Sequence, residues 1–287
     1  MKSIIITAIV TAIGFAFAWF LGSQSTSVWG LPLTFLCGLI AFAVNWLAFI
    51  PSAIAQSDKF YDSVGALTYC SVVVFACVFA PSLDLRAIIV AAMVGIWTLR
   101  LGSFLFMRIH AAGGADSRFE KIRVNPARFL VAWTLQAVWV IFTAAAAIVA
   151  ITATDRAPIG LFFWIGAGVW VLGFVWEVIA DNQKSAFKKD PTNQGKFINV
   201  GLWKWSRHPN YFGEITLWTG ILIMTIPLLS GTGWLAVISP LFVTLLLTKI
   251  SGINLQNAQA ARRWGDDLAY QQYRANTPTL IPMPPRV

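Results

Sequence analysis

The chain has 287 residues, of which 57% are hydrophobic and only 11% are charged, and its mean hydropathy is +0.70. Soluble domains carry charged side chains at about a quarter of their positions, so this composition excludes an ordinary soluble globular protein. The net charge is +9, but the basic residues are spread over several segments and form no continuous stripe, which excludes a typical nucleic-acid-binding surface. We expect an all-α, polytopic integral membrane protein.

Hydrophobic segments follow one another along the whole chain and predict seven to eight transmembrane helices. Each segment is close to the roughly twenty residues that a helix needs to cross the hydrocarbon layer. The seventh segment ends near Pro227 and a turn at Gly231–Gly233, so a short helix or part of a helical hairpin is its alternative. The predicted segments are, approximately, residues 3–21, 30–55, 61–80, 86–107, 129–153, 158–180, 213–229 and 233–250.

The chain carries no internal repeat, low-complexity tract or Gly/Ser linker that would mark a domain boundary. We therefore predict a single transmembrane domain, residues 1–287. The long apolar run of the first segment, with no A-x-A site after it, favours a true span over a signal peptide. Cys37, Cys70 and Cys77 fall inside predicted spans and form no metal-like pairing with the two histidines, so we expect packing residues and no metal site.

The basic residues predict the orientation in the membrane. Of the 21 Lys and Arg residues, 18 lie at the N-terminus, in loops after even-numbered spans, or in the tail. The positive-inside bias then predicts that both termini and the long polar segments 108–128, 181–212 and 251–287 are cytoplasmic, at the inner membrane if the source is bacterial. The same bases would attract anionic membrane lipid or an anionic cofactor, so we expect function on this side.

Two early polar positions stand out in otherwise apolar spans. Asp62 follows Tyr61 at the start of the third span, where burial would keep the carboxyl protonated and able to donate to a substrate oxygen. An ordinary acid at a helix N-terminus is the alternative. Arg100 lies inside the fourth span and predicts either a phosphate or carboxylate ligand or a structural pair with Asp62 or Glu214.

The sixth span runs into the polar sequence WEVIADNQKSAFKK, residues 176–189. If this stretch continues as a helix, four ionisable residues recur on one face: Glu177, Asp181, Lys184 and Lys188. Such a face could bind a nucleotide, and a solvated helix end with salt bridges is the alternative.

The sequence SRHPNYFGE, residues 206–214, is the densest polar stretch near a span. Pro209 disfavours helix at His208, so Arg207 and His208 are predicted to lie in a turn before the next helix begins. A helix start beside these bases suits an anion. Asn210 and Tyr211 offer an amide and a phenol that would suit a nicotinamide. An interfacial anchor is the alternative, although it leaves Glu214 unexplained.

The tail, residues 251–282, alternates polar and aromatic residues at helical spacing and predicts one amphipathic helix at the membrane surface. Gln256, Arg263 and Tyr273 could line a cofactor pocket on it, and a plain surface helix is the alternative.

Together these residues resemble the membrane steroid 5α-reductase family and its bacterial relatives, best over residues 160–287. Similar RHPxYxGE stretches and tails occur in sterol reductases and isoprenylcysteine carboxyl methyltransferases, so the pattern is typical of a superfamily. The matching positions are Glu177, Asp181, Lys188, Gly201–Trp203, Arg207–Glu214, Arg262–Tyr273 and Leu280–Pro282.

The resemblance implies that the helices of about residues 1–157 lie on the substrate side and that the other half of the chain, about residues 158–287, binds NADPH. The family holds a substrate carbonyl with an acid and a tyrosine; Tyr61 and Asp62 fall where the acid is expected, and Trp97 stands where the tyrosine is expected. Glu214 would orient its neighbours or touch the substrate. The implied cofactor contacts are Asp181, Lys188, Arg207, His208, Asn210 and Tyr211, joined by Trp203, Gln256, Arg263 and Tyr273.

The implied activity is NADPH-dependent reduction of the C=C bond of an apolar enone, with a 3-oxo-Δ4-steroid as the best fit. A methyltransferase that uses S-adenosylmethionine on a lipid-like substrate is the alternative, and a membrane scaffold without turnover is a third. The first is favoured because a dinucleotide with an extra phosphate suits the bases at Lys184, Lys188, Lys189, Arg207 and Arg263, whereas the methyl donor is cationic at sulfur.

Overall fold

The computed structural model describes residues 1–111 and 119–284, apart from the side chains of residues 108, 110 and 111. Residues 112–118 of the predicted loop 108–128 and the last three residues of the tail lie outside the described residues. The described chain is mostly helical, and eight of its helical stretches are long and apolar enough to cross a membrane. This confirms the prediction of an all-α, multi-pass membrane protein.

Eleven α-helices and one small hairpin make up most of the described chain. The α-helices are α1 Lys2–Leu21, α2 Leu33–Ile54, α3 Tyr61–Phe79, α4 Leu85–Ala111, α5 Pro126–Thr143, α6 Ala145–Thr152, α7 Leu161–Lys189, α8 Pro209–Thr225, α9 Ile238–Leu245, α10 Ile253–Trp264 and α11 Leu268–Asn276. The hairpin pairs β1 Ser27–Val28 with β2 Leu31–Pro32. Short 3₁₀ segments lie at Gly22–Gln24, Pro191–Asn193, Gly201–Lys204, Ile226–Leu228 and Gly231–Val237, and a π-helical turn lies at Leu246–Ile250.

Three predicted helices are less regular than the sequence indicated. The fifth span divides at Ala144, whose ψ of 0° turns the chain between α5 and α6. The eighth combines a 3₁₀ segment, α9 and a π-helical turn. The tail is helical, as predicted, but it forms two helices, because the chain breaks after Trp264 and Asp267 caps the second one by accepting from the backbone N–H of Ala269 at 2.8 Å.

The seventh segment begins as α8 at Pro209 and continues through a 3₁₀ turn to Leu228. Its 20 residues are long and apolar enough to cross the hydrocarbon layer. The hairpin alternative is therefore not needed for this stretch.

The helices cluster into two compact units. The first comprises Met1–Phe163 and Met224–Ser239, and the second comprises Trp164–Ile223 and Pro240–Val287. In the first unit α2 packs against α1, α3 and α5, and α3 packs against α4. Large side chains that are buried here include Phe42, Tyr69, Trp97, Phe129 and Trp133. Many large apolar side chains on the long helices are exposed instead, as expected for surfaces that contact lipid.

In the second unit the backbones of α7 and α8 are in direct contact through glycines. A Cβ atom added to Gly213 would lie 2.6 Å from the backbone nitrogen of Glu177 and 2.7 Å from the carbonyl oxygen of Gly173. One added to Gly220 would lie 2.6 Å from the carbonyl oxygen of Gly166. Small residues at such spacing let membrane helices approach closely. This contact fixes the start of α8 against the middle of α7.

We expect Gly213→Val to lower the free energy of unfolding by about 1–3 kcal/mol, because the added methyl groups must push the two backbones apart. Gly168→Val is the matched control, since a Cβ there meets no atom within 4 Å. Thermal unfolding of both variants in detergent measures the difference. Equal stability of the two variants would show that the glycine contact is not tight.

Candidate functional site

The polar stretch 206–214 adopts the geometry that its sequence predicts. Arg207 and His208 lie in bends, and α8 begins at Pro209, whose fixed φ and missing N–H suit the first helical position. Just before them, the 3₁₀ segment Gly201–Lys204 ends in a turn at Trp205. The chain therefore delivers a base and an imidazole directly to the start of a helix.

The C-terminal segment holds this turn in place through its backbone; we call residues 277–284 the C-terminal strap. The N–H of Arg207 donates to the carbonyl of Pro278 at 2.9 Å, and the N–H of Met283 donates to the carbonyl of Trp205 at 2.9 Å. The hydroxyl of Ser206 donates to the carbonyl of Leu280 at 2.8 Å. These bonds make the conformation of the turn depend on residues more than 70 positions later in the chain.

The guanidinium of Arg207 is only partly satisfied by the protein. Its Nη2 donates to the hydroxyl of Thr279. Its Nε and Nη1 atoms are buried, and neither finds a hydrogen-bond partner within the described chain. Burial lowers the pKa of Arg207 below its ordinary value, but a guanidinium stays charged in proteins. Because an unsatisfied buried donor is costly, especially on a charged group, these N–H groups suit the oxygen atoms of a ligand.

His208 offers a complementary group beside this cation. Its side chain is 4% exposed and stacks on the Tyr211 ring, with 5.5 Å between centroids and 8° between planes. Its Nε2 lies 3.3 Å from the side-chain carbonyl oxygen of Asn257, so the proton is assigned to Nε2. Nδ1 is then an acceptor, and this buried atom has no partner among the described residues.

The charge state of His208 follows from its burial. Desolvation lowers its pKa to about 4, with the hydrogen bond to Asn257 acting in the opposite direction and the charges of Lys184 and Arg207 adding to the decrease. The imidazole is therefore neutral near pH 7. Arg207 and His208 together present buried donors and a buried acceptor, which is the pattern that recognises a ligand carrying both oxygen atoms and N–H or O–H groups.

Two helices of the tail complete the surroundings of the turn. Gln256 on α10 donates to the hydroxyl of Tyr211, so the structure brings two predicted cofactor contacts together. Its neighbour Asn257, which the sequence reasoning missed, contacts His208. The only available signal was its position beside Gln256. On α11, the hydroxyl of Tyr273 donates to the carbonyl of Trp203 at 2.7 Å.

Trp203 links the end of α7 to the same region. It is 3% exposed, and its indole N–H donates to the carbonyl of Ala180 at 3.0 Å. The ammonium of Lys184 lies 4.7 Å from the centre of its ring. Gly201, which opens this segment with a φ of +57°, has no room for a Cβ atom because one would lie 2.5 Å from the side chain of Gln183. Trp203 is a predicted cofactor contact, but its indole N–H already joins the segment Gly201–Lys204 to α7.

The other predicted cofactor residues differ in their exposure. α7 does continue as a helix to Lys189, and along it Glu177 and Asp181 are buried whereas Lys188 is exposed. Arg263 is exposed on the last turn of α10. Lys188 and Arg263 therefore lie outside the buried part of the site. Asn210 and Glu214 are half-buried near the start of α8.

The first unit contains a separate cavity at the predicted substrate acid. It is small, with a volume of about 20 Å³ that would hold about one water molecule, and Asp62, Tyr69, Trp97, Thr98 and Trp139 are among the residues that line it. The expected acid and the tryptophan at the expected tyrosine position thus share one cavity. Sequence reasoning missed Tyr69, although it lies two helical turns after Asp62.

Two other predicted site residues, Tyr61 and Arg100, are not among the residues that line this cavity. The hydroxyl of Tyr61 donates to the carbonyl of Ala132 at 2.9 Å, and its ring packs against Phe119 and Trp133. Arg100 is half-buried, and its guanidinium lies 5.4 Å from the centre of the Phe104 ring. The structure therefore gives Tyr61 a contact that holds α3 against α5.

We expect His208 to stay neutral from pH 5.5 to 8, because its pKa lies near 4. Only two histidines are present, so His110→Asn leaves a single imidazole whose ¹⁵N resonances report its protonation. The unfolded chain binds more protons than the folded chain between about pH 4 and 6.5, so this residue lowers stability as the pH falls through that window. An ordinary titration with a midpoint near 6.5 would contradict the buried, neutral assignment.

Comparison with known proteins places the chain in a family. A family model described as "Protein of unknown function (DUF1295)" matches residues 48–277, and this family is associated with the steroid 5α-reductase-like superfamily. An uncharacterized protein of Schizosaccharomyces pombe is 24% identical over 159 residues, and the match covers 46% of each chain, so it spans under half of that relative's length. No solved structure matches significantly. Because the family model covers well over half of its residues, the chain belongs to the DUF1295 family.

Proposed function

We propose that this protein is an NADPH-dependent reductase of a C=C bond conjugated to a carbonyl group in an apolar, steroid-like substrate. The observation that carries the proposal is the pair of buried polar groups at the start of α8. There the Nε and Nη1 atoms of Arg207 and the Nδ1 atom of His208 lack partners in the described chain. Proteins seldom leave buried polar atoms unsatisfied unless a ligand or a water molecule supplies the missing hydrogen bonds.

NADPH fits the chemistry of these residues. Its phosphates and carbonyl oxygen can accept from the guanidinium of Arg207, and its amide or hydroxyl groups can donate to Nδ1 of His208. The stacked rings of His208 and Tyr211 offer a flat aromatic surface, and Asn210 adds an amide near the helix start. Exposed bases such as Lys188 and Arg263 would attract a polyanion from solution.

The same residues favour NADPH over S-adenosylmethionine. Arg207 is a half-buried cation with neighbouring positive charges at Arg274 and, through His208, at Lys184. A cationic sulfonium would be repelled by this field, whereas phosphate groups would be attracted. The methyltransferase hypothesis is tested against this proposal by comparing the binding of NADPH with that of S-adenosylmethionine.

We place the carbonyl group of the substrate beside Asp62 in the first unit. When bound, NADPH would supply a hydride to the β-carbon of the enone. In its protonated form Asp62, whose Oδ2 atom is buried, would donate a hydrogen bond to the carbonyl oxygen and stabilise the negative charge that develops there. The α-carbon then takes a proton, so that one hydride and one proton are added across the C=C bond.

For cofactor binding, we expect Arg207→Met to weaken NADPH affinity at least about 10-fold, because two charge-assisted hydrogen bonds are lost. Arg262→Met, which removes an exposed charge from α10, is the matched control and should change affinity little. Equilibrium binding of NADPH and of S-adenosylmethionine to protein in nanodiscs measures both effects. Tight binding of the methyl donor without NADPH binding would overturn the proposal.

For the chemical step, we expect Asp62→Asn to abolish NADPH oxidation with a 3-oxo-4-ene steroid while it leaves NADPH affinity nearly unchanged. The amide keeps the shape of the carboxyl group but cannot act as an acid. The assay follows NADPH absorbance and identifies the saturated ketone by mass spectrometry. Wild-type rates in this variant would show that Asp62 is not the substrate acid.

A further inference from the structure

The C-terminal strap carries an exposed apolar face. Leu280 and Pro282 are half-buried, whereas the alternate positions Ile281 and Met283 are 61% and 47% exposed. The N–H of Met283 donates to the carbonyl of Trp205 at 2.9 Å, and Trp205 is itself 41% exposed. Three large apolar side chains are thus exposed at neighbouring positions of the strap and the turn. We call Trp205, Ile281 and Met283 the strap face.

The strap face lies beside the start of a membrane-spanning helix. α8 begins at Pro209, four residues after Trp205, and the stretch Pro209–Leu228 is long and apolar enough to cross the hydrocarbon layer. Four residues of chain reach at most about 14 Å, so Trp205 lies within that distance of the helix start. Tryptophan is enriched at this level of membrane proteins, because its ring is apolar and its N–H can donate to the lipid headgroups.

The charges around the strap face suit the surface of a phospholipid membrane. Residues 201–208 and 277–284 contain two bases, Lys204 and Arg207, and no acid. Lys204 is exposed and comes directly before Trp205. Phospholipid headgroups carry phosphate, so a base next to exposed apolar side chains favours binding to anionic lipid.

Water and a protein partner are the other surroundings that this face could have. Single exposed apolar side chains are common on protein surfaces and need no partner. The strap face differs because three such side chains come together next to a span, where lipid surrounds the protein. A second protein would have to displace that lipid before it could bind.

The strap face is continuous with the residues that hold the turn before α8. The hydroxyl of Thr279 accepts from the guanidinium of Arg207, and the carbonyl of Leu280 accepts from the hydroxyl of Ser206. Ile281 follows these two strap residues directly. A contact that fixes Ile281 therefore also restricts the part of the strap that binds the turn.

We propose that Trp205, Ile281 and Met283 insert into the headgroup layer of the phospholipid bilayer that α8 spans, and that this contact keeps the strap in the position that fixes the Arg207 turn. The phosphate of an anionic headgroup pairs with Lys204. This inference does not depend on which ligand the turn binds, so it is tested separately from the reductase activity.

Fluorescence quenching locates the strap face directly. Cys37, Cys70 and Cys77 are first replaced by alanine, and the dye NBD is then attached to Ile281→Cys or to the control Gln194→Cys. The protein is placed in nanodiscs of phosphatidylcholine and phosphatidylglycerol. A lipid with a spin label near its headgroup should quench the dye at position 281 at least about threefold more than the dye at position 194. Iodide in the buffer should quench the dye at position 194 alone.

Gln194 is the matched control because it is exposed in the segment that follows α7. α7 has 29 residues and is therefore about 44 Å long, which exceeds the roughly 30 Å of the hydrocarbon layer. Its polar C-terminal end projects beyond that layer into water. Quenching by iodide at both positions would overturn the lipid contact. Protection of position 281 from both quenchers would overturn it too, because a protein would then cover the face.

Hydrogen exchange tests the link to the turn without a dye. Ile281→Asp places a charge on the strap face, so the amides of Arg207 and Met283, which donate between the turn and the strap, should exchange about 10-fold faster in nanodiscs. Ile281→Leu keeps the face apolar and should leave both amides protected. The amides of α7 report any global loss of structure. Unchanged exchange in Ile281→Asp would overturn the claim that lipid contact holds the turn.

Discussion

The candidate site of the second unit is built around one electrostatic feature, the half-buried Arg207 side chain beside the start of α8, whose Nε and Nη1 atoms are buried. A charge leaves water only when other groups replace its hydrogen bonds. The C-terminal strap supplies one of them through Thr279 and fixes the backbone of the turn through Pro278. The Nε and Nη1 groups of the guanidinium have no partner in the described chain, and the proposed ligand site rests on them.

The surrounding contacts are arranged to keep this turn rigid. α7 and α8 touch backbone to backbone at Gly173 and Gly213, and Trp203 joins α7 to α11 through its indole and its carbonyl group. Rigid support matters because a hydrogen-bond donor that must reorient loses much of its advantage. Within the first unit, Trp97 and Trp139 pack edge-on against the ring of Tyr69.

Much of this architecture could be predicted from the sequence, because a bilayer demands long apolar helices and proline fixes where α8 begins. The break at Ala144 could not, since neither proline nor glycine marks it and it depends on tertiary packing. The pairing of Ser206 with Leu280 is equally hidden, because it joins backbone and side-chain groups far apart in the chain. The presence of Tyr69 beside Asp62 and Trp97 could not be predicted, because tertiary packing decides which helices line a cleft.

The most direct test of the account is an experimental structure of the protein in nanodiscs at saturating NADPH. We predict cofactor oxygen atoms within hydrogen-bonding distance of Nε and Nη1 of Arg207, and a cofactor donor at Nδ1 of His208. NADPH bound elsewhere, with these atoms satisfied by lipid, by water or by the protein itself, would contradict the central claim.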